Sequence, residues 1–144
     1  MARQSEPTGG DVDIEGLEDY FTEADVSFAI LFGSHARGTA DGSSDVDIAV
    51  RFPEHVDERD RFRLRNRIDA EVQGYAAGFV DVSDIESLPL LVARAALREG
   101  RLLAGDEKMV DAYRDSVETE CEETADERER ERREFIDRLA RGDV

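Results

Sequence analysis

AILFGSHARGTADGSSDVDIAV, residues 29–50, decides how this chain folds. Its apolar start extends back to Val26 as VSFAILF, a near-continuous apolar run of strand length stopped by Gly33. Such a run predicts a strand buried on both faces. Asp45 to Phe52 (DVDIAVRF) alternates instead, with Val46, Ile48 and Val50 on one side and Asp45, Asp47, Ala49 and Arg51 on the other. That period predicts a strand buried on one side only. Gly33 to Ser44 between them is turn chemistry around a brief helical turn.

Outward from this pair, Met1 to about Gly10 reads as a mobile leader, and Ile14, Leu17 and Phe21 fall at helical spacing. Val56 to Tyr75 predicts a second helix carrying Leu64, Ile68 and Val72, with Phe62 alongside. Its alternating arginines, Arg59 to Arg67, are interleaved with Asp57, Glu58, Asp60 and Asp69, which predicts a solvated face laced with i,i+4 ion pairs. Phe79 to Ser83 predicts a third strand, with Val80 and Val82 on one face and Phe79, Asp81 and Ser83 on the other. A helix over Leu88 to Arg98, apolar at Leu91, Ala95 and Leu97, ends at Gly100. Arg101 to Ala104 is a short final strand. From Asp106 an amphipathic helix bearing Met109, Val110, Tyr113 and Val117 becomes almost purely charged over Glu118 to Glu134, with Phe135, Ile136 and Leu139 near its end. The expected architecture is α/β: a small mixed sheet, helices on one face, a metal site on the other, and a charged C-terminal helical arm. The expected division is a leader over 1–10, a catalytic domain over 11–105 and the arm over 106–144.

Composition excludes several classes of function. The 144 residues hold 36 acids against 19 Lys and Arg, a net charge of −17. That field repels phosphate backbones, so long nucleic acids and anionic membranes are poor partners. Cys121, His35 and His55 supply neither a disulfide nor a zinc cage. Lys108 is the sole lysine and follows no glycine-rich loop, which removes a Walker-type site. No apolar run approaches the ~20 residues of a membrane helix, and Met1 to Gly16 has no basic-then-apolar leader, so a cytoplasmic location is expected. Abundant acid with arginine in place of lysine resembles proteins of salt-loving microbes.

Aspartate is depleted in strands, so Asp45 and Asp47 need a reason. The period of two sets both carboxylates on one face, about 7 Å apart, at a strand start. Hard oxygens so placed suit Mg²⁺, which takes one or two carboxylates plus substrate phosphates. Asp81 is available as a third acid, and three acids on one face can hold two metal ions. Gly33 and Ser34 end a strand at a helical turn, whose free N–H groups and hydroxyl attract phosphate, with Arg37 near enough to assist. These parts specify nucleotidyl transfer, with in-line attack on an α-phosphorus and loss of pyrophosphate. Asp45 and Asp47 would bridge the metals, and Asp81 would also help remove the acceptor's proton.

The segment Gly33-Ser34, ten residues, then Asp45-Val46-Asp47 resembles the G-S-x10-D-x-D signature of the DNA polymerase β nucleotidyltransferase superfamily in its smallest form, the minimal nucleotidyltransferases (MNT). Ala36-Arg37-Gly38 matches what commonly follows the Gly-Ser, and Asp81 sits where the family keeps its third carboxylate. The resemblance covers about Asp11 to Gly105 and leaves the charged tail unmatched. It implies a nucleotidyltransferase fold, Mg²⁺ as cofactor, ATP as nucleotide donor, and a partner protein of the HEPN toxin type. The implied activity is that of an antitoxin attaching AMP to a tyrosine hydroxyl of that toxin. A chain this small has no room for a substrate-gripping domain, so a partner is expected to present the hydroxyl. Neutralisation by binding alone, or transfer to a small molecule such as an aminoglycoside or to an RNA end, are the competing readings.

Overall fold

The computed structural model describes residues 12–33 and 45–142. The leader over 1–10, together with Ser34, His35 and Arg37, lies outside the described residues. Four strands, β1 (Phe28–Phe32), β2 (Val46–Arg51), β3 (Val80–Asp84) and β4 (Arg101–Gly105), form one sheet in the order β3-β2-β1-β4. The pairs β1–β2 and β1–β4 run antiparallel, and β2–β3 runs parallel. Among the described residues four α-helices accompany the sheet: α1 (Ile14–Glu23), α2 (Glu58–Glu71), α3 (Leu90–Glu99) and α4 (Glu107–Arg141). A parallel neighbour requires a crossover connection, and α2 supplies it between β2 and β3.

Three of these helices start where the sequence offers a side-chain cap, and α3 starts after Pro89 without one. Asp13, Asp57 and Asp106 accept backbone N–H bonds at the starts of α1, α2 and α4. One core lies between the sheet and helices α1 and α2, joining Leu17, Phe21, Ile68 and Val72 to Leu31, Ile48, Val50, Val80 and Val82. A second core lies on the opposite face, joining Phe28, Ile30 and Ala49 to Ala93 and Leu97 of α3 and Val110, Val117 and Cys121 of α4.

This second core corrects the expectation of helices on one face. Ala49 is buried on the side that the alternation of β2 marks as open, because alanine is small enough to let α3 and α4 close over it. The buried stripe of α3 is Ala93, Ala96 and Leu97, whereas Leu91 and Ala95 face outward. Spacing of three to four residues fits either stripe, and the bulk of Leu91 points to the wrong one. Phe62 is likewise 65% exposed and does not join Leu64 and Ile68 inward.

The arginines of α2 also depart from the expected i,i+4 lacing. Arg67–Glu71 is such a pair, at 3.6 Å. Arg61 instead reaches across to Asp84 at 3.0 Å, and Arg65 donates to the Val82 carbonyl at 2.8 Å. Asp69 accepts from Val82 N–H at 3.1 Å. Gln73 accepts from Val80 N–H at 2.9 Å and donates to the Val80 carbonyl at 2.7 Å. Arg65, Asp69 and Gln73 recur every four residues, so one side of this helical segment presents donors and acceptors to the outer edge of β3 as a neighbouring strand would.

The first half of α4 is held by a clamp of charge. Glu118 accepts from Arg98 at 2.6 and 2.8 Å and from Arg94 at 3.3 Å. These bonds hold the Glu118 carboxyl below its ordinary range. Tyr113 packs on Phe28 and lies 4.6 Å beneath the Arg51 guanidinium. Beyond Cys121 the described residues of α4 are exposed or half-exposed, including Phe135, Ile136 and Leu139. The charged segment thus extends past the last residue packed on the sheet.

Candidate active site

Side chains alternate across β2 and β3, so Val46, Ile48, Val80 and Val82 enter the first core and Asp47 and Asp81 take the opposite face. The parallel register pairs Asp47 directly with Asp81. Neighbouring strands lie about 4.8 Å apart, which makes these two aspartates adjacent teeth on one surface. The antiparallel register sets Phe32 opposite Asp47, which brings Gly33 to the same end of the sheet.

Gly33 has φ +78°, a left-handed conformation open to glycine at little cost. A Cβ at this position would stand 2.6 Å from Asp47 Oδ2. The absent side chain is therefore a requirement of the site: the β1 turn closes onto a carboxylate, and only hydrogen fits between them. Asp45 is exposed just before β2, Asp47 is half-buried, and Asp81 is exposed.

Gly33, Asp47 and Asp81 are gathered at one end of the sheet by strand register. Among the described residues, no group of three or more His, Cys, Asp or Glu side chains is positioned to hold a metal ion. Asp45 is therefore not drawn with the other two into a ready three-carboxylate cage. The donors present fit Mg²⁺ in kind, since that ion takes one or two carboxylates and fills its remaining positions with phosphates and water.

Two further features flank these residues. A cavity of about 320 Å³ adjoins Gly33, lined by Phe32, Leu91, Val92 and Ala95 with Glu99. Leu91 and Ala95, outward in the fold, form its walls. Asp84, three residues after Asp81, is 6% exposed and paired with Arg61 while accepting from Glu86 N–H at 3.0 Å. Those bonds give it a structural role as a cap and ion-pair partner. The buried acid of β3 is thus distinct from its exposed one, a difference set by strand alternation and the reach of Arg61.

Residues 15–108 match the family model described as "Polymerase beta, Nucleotidyltransferase". No curated protein matches the sequence. A crystal structure of a toxin-antitoxin with AMP-PNP superimposes with TM-score 0.62 at 20% identity, covering 85% of this chain and 98% of that one. The tri-AMPylated Shewanella oneidensis HEPN toxin in complex with MNT antitoxin gives TM-score 0.57 at 17% identity, over 85% and 98% of the two chains. The toxin-antitoxin MntA-HepT gives 0.56 at 17%, with the same coverage. At these identities the likeness shows a shared fold. Among the described residues no helix is long and apolar enough to cross a membrane.

Proposed function

The chain belongs to the polymerase β nucleotidyltransferase family, and from that membership we propose that it is a Mg²⁺-dependent transferase of AMP, with a HEPN-type toxin as acceptor and neutralisation of that toxin as the outcome. The register pairing of Asp47 with Asp81, against a Gly33 that leaves room for the Asp47 carboxylate, carries this reading. The fold shared with MNT antitoxins in toxin complexes, one of them with an AMPylated toxin, supports the choice of acceptor.

Asp47 and Asp81 are the residues that would hold the cation, and Asp45, exposed just before β2, is the further acid the sequence offers. When bound, the cation supplies positive charge for the triphosphate and acidity toward an acceptor hydroxyl. The chain's own residues do the rest. Gly33 and Ser34 admit the phosphates to close approach, Arg37 adds charge, and the apolar cavity beside Gly33 gives a purine ring a dry wall. The acceptor oxygen attacks the α-phosphorus, the bond to the β-phosphate's bridging oxygen breaks, and pyrophosphate leaves. Asp81, exposed, takes the acceptor's proton. We assign the catalytic unit to residues 11–105, with the packed first half of α4 closing its second core, and a partner-facing role to the exposed part of α4 beyond Cys121.

The test is incubation of the full chain with a HEPN toxin, α-labelled ATP and Mg²⁺. Label is expected on a toxin tyrosine, lost in Asp47→Asn and in Asp81→Asn. Full neutralisation of a toxin that carries no label, by the parent chain and by both variants, would replace transfer with binding alone.

A further inference from the structure

A groove of about 990 Å³ opens between the first half of α2 and the end of β3, far larger than the cavity beside Gly33. Arg59, Phe62 and Arg63 share one face of α2 at its rim, at i, i+3 and i+4. Phe62 is 65% exposed there, an unusual cost for so large an aromatic ring. Arg61 and Arg65 are committed to Asp84 and the Val82 carbonyl. Arg59 and Arg63, by contrast, have neither an ion pair nor a hydrogen bond among the described residues. Four arginines and three acids line the groove, a positive balance on a chain whose net charge is −17. Its inner wall includes Ser83, on the same β3 face as Asp81 and about 7 Å along the strand from it.

We propose that this groove docks the acceptor protein through an acidic segment that carries an apolar side chain. The apolar side chain packs on Phe62, carboxylates pair with Arg59 and Arg63, and the chain continues along β3 to deliver its hydroxyl to Asp81. Charge complementarity selects the occupant. Asp57 and Glu58 sit in the same groove and repel a polyphosphate chain, whereas a peptide places its acids singly, away from them. The inference deepens the transferase reading above and rests on it for the identity of the partner.

Calorimetry of the full chain with the HEPN toxin, without ATP, measures docking apart from chemistry. Arg59→Glu/Arg63→Glu is expected to weaken binding about 10- to 100-fold, and Phe62→Ala about tenfold, with melting temperatures unchanged. Arg59→Lys/Arg63→Lys keeps most of the affinity. In transfer assays the charge-reversed variant raises KM for the toxin, leaving kcat and the KM for ATP near those of the parent chain. Unchanged toxin affinity in the charge-reversed variant overturns the proposal even if transfer occurs. Loss of a single-stranded RNA oligonucleotide's binding, with toxin affinity intact, overturns it in favour of a nucleic-acid groove. A parent chain that binds the toxin through these residues yet labels nothing removes the transferase reading and leaves the docking site standing.

Discussion

Replacing Gly33 with alanine tests the site geometry at its tightest point. Two costs follow from the structure. A residue with a Cβ held at φ +78° loses about 1–2 kcal/mol relative to glycine. For a chain of this length, that lowers the melting temperature by about 3–8 °C. The second cost is local, because the new Cβ would stand 2.6 Å from Asp47 Oδ2. Ordinary contact begins near 3.4 Å, so the carboxylate must withdraw by 0.8 Å, the difference between those two distances. A displacement approaching 1 Å at a reacting centre costs roughly 100-fold in rate. Gly33→Ala should therefore melt only a few degrees early yet transfer nucleotide about 100-fold more slowly. Gly74→Ala, with open space around it, is the control and should leave the rate alone. Differential scanning fluorimetry and a labelled-ATP transfer assay measure the two quantities. A Gly33→Ala protein within threefold of the parent rate would refute the claim that this turn sets the position of Asp47.

Other outcomes follow from contacts away from that turn. Arg61→Ala leaves the buried Asp84 carboxylate without its cation and should lower the urea midpoint, with partial recovery in Arg61→Ala/Asp84→Asn, which keeps the acceptor for Glu86 N–H. Asp69→Ala should accelerate hydrogen exchange at the Val82 amide specifically, since it removes that amide's outer acceptor. The Glu118 carboxyl is held below its ordinary 4.5 by Arg98, so its contribution is present above that value and is lost as pH falls through the lowered one. Acid should therefore lower the melting temperature of the parent chain more steeply than that of Glu118→Gln. Ending the chain after Asp126 should leave the melting temperature within about 2 °C, because the residues removed lie beyond the last one buried on the sheet.

Residues 29–50 carried much of the fold: β1 follows from its near-continuous apolar run, and β2, with Asp47 on the face opposite the first core, follows from a period of two. The Asp81 pairing was legible for the same reason, once Val80 and Val82 marked the inward face of β3. What escaped was set by reach and size rather than by period. The side chain of Arg61 crosses to another element, and Arg65, Asp69 and Gln73 do so along the edge of β3 at Val80 and Val82. Sequence spacing offers helical neighbours as partners for such residues but says nothing of a strand brought alongside by the fold. Ala49 was misread because a small residue on a polar-looking face gives no sign that a helix will cover it. The outward turn of Leu91 became intelligible only beside Gly33, where it walls a cavity.

The side-chain edge along β3 has a consequence for how substitutions are tolerated. At residues 65, 69 and 73 the helix acts as a surrogate backbone, and the strand's N–H and C=O groups recognise functional groups by valence and position. These positions are polar and half-buried, so hydropathy would rank them among the freely variable. Saturation mutagenesis should show them to be as restrictive as the core: Gln73 admits no residue lacking both a donor and an acceptor, and Asp69 admits only another acceptor of the same reach. A helix surface here is subject to the pairing rules of a sheet.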